Sequence, residues 1–424
     1  MTKRRGFLAL SPLIVFLGVY LVSSFIAKDF YKVPVVTAFL LSSAYALTIT
    51  KGGLEERIAL FSRGAGNSNV LLMIWIFVLA GVFASTAKAI GSIDATVAFT
   101  LRILPGKFIL VGLFAAACFI SMAIGTSVGT IVALVPIASG LATGTGAPIA
   151  MVVAAIVGGA FFGDNLSFIS DTTIAATRSQ GCSMADKFKT NIWIAGPAAV
   201  VVAALYVFLG QGFEASAISE GGDFLLLLPY LSIIALALTG MNVLGVLSVG
   251  ILLNAVIGLS LGRFGWTGFL QSAGSGVASM GDLIIVTMLA GGMLEIIRAN
   301  GGIDYIINLL TKRINGKRGA EGSIAALVAL ANICTANNTI AIITTGSIAR
   351  DIASHFGVDP RKSASILDTF SCIIQGILPY GAQLLMASGL AGISVASIIG
   401  YLYYPLALLL FAVAAIIFRF PRQA

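Results

Sequence analysis

Charge is what this chain has least of. Only 10% of its 424 residues are Asp, Glu, Lys or Arg, against 58% hydrophobic, where soluble domains carry about 25% charged residues. Histidine is almost missing. His355 is the one copy, in a polar stretch beside Asp351 and Asp359, a setting that suits a solvated loop side chain better than a pH sensor. Cysteine is sparse as well: Cys118, Cys182, Cys334 and Cys372 form no C-x-x-C pair and have no His nearby. A metal cluster is therefore not expected, and free, buried thiols are. With one His and no nucleophile–base pair, enzymatic chemistry is disfavoured and no cofactor is called for. Strict alternation of apolar and polar residues is also lacking, which argues against a β-barrel.

What is present is a series of long apolar runs, at roughly 7–27, 33–49, 70–90, 148–172, 190–210, 224–239, 243–261, 282–299, 361–378 and 399–418. Several approach the ~20 residues that a spanning helix needs. The first follows Lys3-Arg4-Arg5 but is too long, and lacks the small-x-small site, for a cleavable signal. Two further segments, 108–142 and 320–350, have apolar arms around a polar, small-residue centre: Gly125-Thr126-Ser127-Val128-Gly129-Thr130 in one, Thr335-Ala336-Asn337-Asn338-Thr339 in the other. Irregular backbone at membrane depth is tolerated only when buried or lining a cavity, so both are read as re-entrant hairpins or broken helices. The lipid bilayer is thus the first partner.

The chain also repeats itself. Leu79-Ala80-Gly81 recurs as Leu289-Ala290-Gly291, and Gly91, Ile93 and Asp94 recur as Gly301, Ile303 and Asp304. Further on, Thr130 matches Thr339, and Asp164 with Ser167 matches Asp368 with Ser371. The expected organisation is two halves, 1–210 and 224–424, joined by a linker at 211–223. Asp94 and Asp304 each follow a Gly and are placed to start short helices.

The net charge of +8 is spread unevenly. With the N-terminus inside and each hairpin returning to its own side, 19 of the 25 basic residues fall inside, Arg178, Lys187, Lys189, Arg361 and Lys362 among them, and 6 fall outside. That asymmetry is a topology signal, not a nucleic-acid surface. Five crossings per half would make the second half enter from the opposite side. The fold class expected is an all-α polytopic membrane protein: two inverted-topology repeats, about ten transmembrane helices and two re-entrant hairpins or broken helices, of the kind used by secondary transporters. Both termini are expected in the cytoplasm.

Against this background, Gly163-Asp164-Asn165-Leu166-Ser167-Phe168-Ile169-Ser170-Asp171 stands out, because it puts carboxylates within or at the end of a membrane-length run. Such residues cost about 2.5–3.5 kcal/mol on insertion scales and mark transport sites by default. The candidate site joins Asp164, Asn165, Ser167 and Asp171 with Asp368, with Thr126, Ser127 and Thr130 of one centre, and with Asn337, Asn338 and Thr339 of the other. Carboxylate, amide and hydroxyl oxygens suit a small cation stripped of its water; Asp164 and Asp368 are the first choices for holding Na⁺. A buried Asp that binds either Na⁺ or H⁺ is already a minimal exchanger. Asp171 stands seven residues beyond Asp164, so a continuous helix would return it to the same face. Competing readings are local: the hydroxyls could back-bond to helix carbonyls, Asp171 could cap a helix or pair with Arg178, Asp368 could pair with Arg361 or Lys362, and Glu295 has Arg298 one turn on.

At these residues the chain resembles the NhaC-type Na⁺/H⁺ antiporter family of the ion transporter superfamily. Gly125-Thr126-Ser127-Val128-Gly129-Thr130 resembles that family's G-T-S-x-G-T, and Gly163 through Thr173 its G-D-x-x-S-P-x-S-D-T-T, with Phe168 where the family has Pro. Asn337-Asn338-Thr339 looks more like the S-N-T tips of carboxylate transporters in the same superfamily. The resemblance implies a bacterial inner-membrane antiporter exchanging Na⁺ for H⁺. Its alternative is a Na⁺- or H⁺-coupled carrier of an amino acid or small carboxylate. By analogy alone, the architecture suggests a homodimer. The topology is directly testable: single cysteines at Ser216 and Gly316 should react with an impermeant maleimide from opposite sides, 216 from outside and 316 from inside. Labelling of both from one face would refute the orientation.

Overall fold

The computed structural model describes residues 3–27, 35–168, 170–214, 224–311 and 314–421. Among them there are helices and no strand. Lys28, Lys32, Lys312, Arg313 and Arg422 of the charge count, Ile169, and the acidic linker residues Glu220 and Asp223 lie outside the described residues.

The first half runs α1 (Lys3–Ala27), α2 (Val35–Ile49), α3 (Leu54–Ala65), α4 (Ser68–Ile90), α5 (Ser92–Ile103), α6 (Ile109–Ile124), α7 (Ser127–Thr145), α8 (Ile149–Leu166), α9 (Asp171–Gln180) and α10 (Met184–Leu209). The second runs α11 (Leu228–Leu238), α12 (Val243–Ser260), α13 (Trp266–Ser279), α14 (Gly281–Ala299), α15 (Gly302–Thr311), α16 (Gly316–Thr335), α17 (Asn338–Phe356), α18 (Pro360–Ile377), α19 (Ala382–Ala391), α20 (Val395–Ile399) and α21 (Tyr403–Ile417). Among the described residues, eight helical stretches are long and apolar enough to cross a membrane. The protein is an all-α, polytopic membrane protein.

Local chemistry sets the helix ends. Asn67 caps α4 by accepting from the Asn69 amide at 3.0 Å, Asn242 caps α12 at 2.8 Å, and Ser183 caps α10 through the Asp186 amide at 3.1 Å. Asp359 caps α18 and also takes the Arg361 guanidinium at 2.8 Å. That hydrogen bond holds the Asp359 carboxyl below its ordinary range. Asp94 and Asp304 lie in the first turns of α5 and α15. His355 is exposed, but in the last turn of α17 and not in a loop.

Both interrupted segments break where the small-residue centres stand. The chain leaves α6 through Gly125, in the left-handed region at φ 77°, and enters α7 after Thr126. It leaves α16 through Ala336, also left-handed at φ 48°, and enters α17 after Asn337. The run expected at 148–172 is not one segment. Its helix stops at Leu166, and α9 starts afresh at Asp171, capped by Ser170.

Elements of the two halves pack on one another. Helix α4 lies on α13 and α14 lies on α3; α12 packs on α4 and α14 on α2; α7 meets α19 and α17 meets α9. Glycine makes the first pair of contacts. A Cβ on Gly81 would sit 2.3 Å from the Gly276 carbonyl oxygen, and one on Gly64 would sit 2.4 Å from that of Gly291. These are the Gly81 and Gly291 of the repeated Leu-Ala-Gly. Without water's hydrophobic drive, membrane helices associate through such close backbone approach. Helices α8 and α18 fill the centre, touching each other and buried along most of their length. On α8, Gly159 and Gly163 admit the α6 backbone, which would lie 2.4 Å from a Cβ at either place.

The glycine contacts yield a paired test. Gly81→Ala forces backbone apart and should lower thermal stability by about 1–3 kcal/mol. Gly274→Ala faces open space in the same helix pair and should leave the melt unchanged or raise it slightly. Equal effects of the two in detergent melts would contradict the close approach.

Candidate functional site

The last turn of α8 and the middle of α18 meet in a cluster of buried polar groups. Asp164, Asn165 and Asp368 are all buried. Ser127, the first residue of α7, donates its hydroxyl to Asp164 Oδ2 at 2.8 Å. The break after α6 thus aims a hydroxyl at the carboxylate instead of returning it to a helix carbonyl. Asn165 Nδ2 donates to Asp368 Oδ2 and to Thr369 Oγ1, each at 3.4 Å, and bridges the two carboxylate-bearing helices. Ser170 Oγ donates to the Asp164 carbonyl at 3.0 Å, and Ser167 Oγ to that of Met122 at 2.9 Å. These two bonds hold the turn between α8 and α9.

The centre of the cluster is Lys187. Its ammonium, buried on the first turn of α10, pairs with Asp368 Oδ2 and donates to the Asn165 carbonyl and, at 2.7 Å, to Thr173 Oγ1. One helical turn on, Asn191 Nδ2 donates to Asn165 Oδ1 at 3.2 Å, while its own Oδ1 accepts from Ser365. The sequence reading places Lys187 among the loop bases of the inner face; it stands instead on a helix, with its ammonium buried. Helix α10 begins at Met184, well before the apolar run at 190, and carries Lys187 inward. Arg361 and Lys362 do not reach Asp368 either. Arg361 holds Asp359, while Lys362 is buried against the carbonyls of Ala415 and Phe420 at the end of α21. Asp171 is likewise corrected: the break after Leu166 leaves it exposed at the start of α9, not on Asp164's face.

The second break joins the cluster indirectly. Gln375 Nε2 donates to the Ala336 carbonyl at 3.1 Å and to Gln383 Oε1 at 2.9 Å, and Gln383 Nε2 donates to Ser127 Oγ at 3.1 Å. A continuous hydrogen-bonded path therefore runs from Ala336 through Gln375, Gln383 and Ser127 to Asp164. Asn337 and Asn338 serve their own helix: Asn337 Oδ1 caps α17 through the Ile340 amide at 2.9 Å, and Asn338 Oδ1 takes the Thr339 amide at 3.1 Å. Thr130 back-bonds to the Thr126 carbonyl at 3.1 Å, and Thr126 provides no side-chain cap. So Asp164, Asn165, Ser127 and Asp368 come together, while Thr126, Thr130, Asn337, Asn338 and Thr339 line the breaks beside them.

A sequence profile of the Na⁺/H⁺ antiporter family matches residues 7–211 and 225–421. The chain belongs to the Na⁺/H⁺ antiporter family. It is similar to the malate-2H⁺/Na⁺-lactate antiporter of Bacillus subtilis, 23% identical with 93% of this chain and 91% of that one covered. It is similar to the Na⁺/H⁺ antiporter NhaC of Alkalihalophilus pseudofirmus, at 22% identity with 94% and 91% covered. To the arginine/ornithine antiporter ArcD of Halobacterium salinarum it is 24% identical, with 80% and 78% covered. The family is one of antiporters.

Lys187, Asn191, Ser365, Gln375 and Gln383 are the site residues that pattern reading misses. One signal was available for the first two. Ser183-x-x-Asp186 is a capping pattern, which starts a helix at residue 184 and puts Lys187 and Asn191 on one face. The ion pair gives a test of its own. Asp368→Asn leaves a buried ammonium unpaired and should cost about 3–5 kcal/mol, whereas adding Lys187→Met should recover most of that loss. A harmless single substitution, or a double variant worse than the single, would remove the pair from the core's energetics.

Proposed function

We propose that this protein is a secondary active transporter that exchanges Na⁺ for H⁺ through the Asp164–Asp368 cluster. One observation carries the reading: two buried carboxylates share a cluster with one ammonium. Lys187 compensates Asp368, which leaves Asp164 as the carboxylate of the cluster with no ion pair among the described residues. An isolated buried charge is too costly to persist. Either a proton on Asp164 or a Na⁺ beside it removes that charge, and the two exclude each other. Mutual exclusion at one site, reached in turn from either side, is sufficient for antiport.

The ligands for Na⁺ would be Asp164 and Ser127, with backbone oxygens freed at the α6–α7 break, all hard donors suited to it. The cluster is read as a binding centre and not a catalytic one. We also read the two halves as inverted copies, both termini as cytoplasmic, the membrane as a bacterial inner membrane, and the assembly as a homodimer. The glycine contacts and the break positions support the repeat, and the basic-residue asymmetry supports the orientation.

A second reading is favoured by a cleft that reaches the other break at Ala336 and Asn337. In it, Asp164 binds the coupling ion while a small carboxylate or amino acid travels with it. The relatives whose names include malate, lactate, arginine and ornithine make this the natural alternative.

The test is transport. Proteoliposomes with a trapped pH dye should respond to added Na⁺, and Asp164→Asn should abolish the response while the protein still inserts and melts cooperatively. An unchanged rate in the Asp164 variant would take that residue out of the site. A wild type that never couples Na⁺ to pH would discard cation exchange.

A further inference from the structure

A cleft of about 140 Å³ lies between α4, α14 and the α16–α17 break. Its floor is the half-buried break residues Ala336 and Asn337, and its walls include Met73 and Ile340. Glu295 and Arg298 stand towards its mouth, both on α14. A water's share of the liquid is about 30 Å³, so the space holds on the order of five of them. That is far more than a bare cation needs and admits a small organic solute.

The charges at the mouth select among such solutes. The Glu295 carboxylate and the Arg298 guanidinium are 3.7 Å apart, beyond hydrogen-bond length, and the Arg298 side chain is 70% exposed. An exposed pair one turn apart shifts an equilibrium by only about a factor of two, so a ligand can part it with little loss. A dicarboxylate would set its second anion against Glu295, and a diamine would set a cation against Arg298. A solute bearing one charge of each sign satisfies both with charge-assisted hydrogen bonds. The apolar walls then face its side chain. Below the floor, the Ala336 carbonyl starts the hydrogen-bonded path to Asp164, so whatever sits in the cleft touches the element that the carboxylate cluster is tied to.

We propose that this cleft binds a small zwitterionic α-amino acid with an apolar side chain, its carboxylate on Arg298 and its ammonium on Glu295. Its part in transport rests on the second reading above; the binding itself does not. The experiment is a thermal-shift titration of the purified full chain in nanodiscs with L-leucine, L-valine and L-methionine, alongside 4-methylpentanoate and 3-methylbutylamine, which keep one charge each. At least one of the amino acids should stabilise the protein, and the single-charge analogues should bind at least about tenfold more weakly. Arg298→Gln and Glu295→Gln should each cut amino-acid affinity about tenfold, whereas Asp164→Asn, which is fatal to the antiport reading's pH response, should keep the shift. The proposal fails if none of the three amino acids shifts the melt. It fails equally if an analogue matches them, or if the shift survives both cleft substitutions. The analogue comparison needs only the wild-type protein, so a variant that does not fold cannot mask the answer.

Discussion

A buried ammonium has to be answered by an anion, and most of the cluster follows from how that is done for Lys187. Asp368 supplies the charge, while the Asn165 carbonyl and Thr173 supply the remaining acceptors. Those partners come from α8, α9 and α18, so one side chain of α10 fixes three neighbouring helices around it. The cost of removing two ions from water is several kcal/mol each, and pairing repays it only when the other hydrogen bonds are also made. Here they are made, and Asn165 is spent entirely in doing so: its carbonyl takes Lys187, its amide nitrogen gives to Asp368 and Thr369, and its side-chain oxygen takes Asn191. The residue next to it, Asp164, is thereby held in place without being neutralised.

The scaffold around this pair is built from small residues at equivalent places. Gly81 against Gly276 and Gly64 against Gly291 let two helix pairs touch backbone to backbone. The same economy of side chains opens the helices at Gly125 and Ala336, where backbone groups lose their helical partners and become available to the cluster. The amides of Gln375 and Gln383 tie one opening to the other. The Ala336 carbonyl is thereby linked to Ser127 through three hydrogen bonds, and to Asp164 through a fourth.

Legibility in the sequence follows the physics of each signal. Long apolar runs and small-residue interruptions are legible because lipid demands them: each expected run carries helix, although 148–172 divides at Leu166, and both breaks occur at the anticipated centres. The short helices α3, α9, α13 and α19 escape such a reading, since they are neither long nor uniformly apolar. Asp164, Asn165, Ser127 and Asp368 are legible because polar residues in apolar runs are expensive. Lys187 is not, because it sits at the head of α10, where a solvated lysine and a buried one look alike in composition. Gln375 and Gln383 are invisible for a different reason, in that only their tertiary partners distinguish them from helix-surface amides. Asp171 fails because periodicity assumes an unbroken helix across Ser167 and Ser170.

The two openings are alike in layout but not in stiffness. Gly125 adopts its left-handed turn freely, whereas Ala336 takes the same turn against the steric preference of a side-chain-bearing residue. Such a conformation costs of order 1–3 kcal/mol and persists only while its surroundings insist on it. One break is thus unstrained and the other strained, and the Gln375 amide is bonded to the carbonyl of the strained residue. Only a change in the Ala336 backbone angles themselves would release that strain. The two breaks therefore store different amounts of backbone energy despite their shared layout.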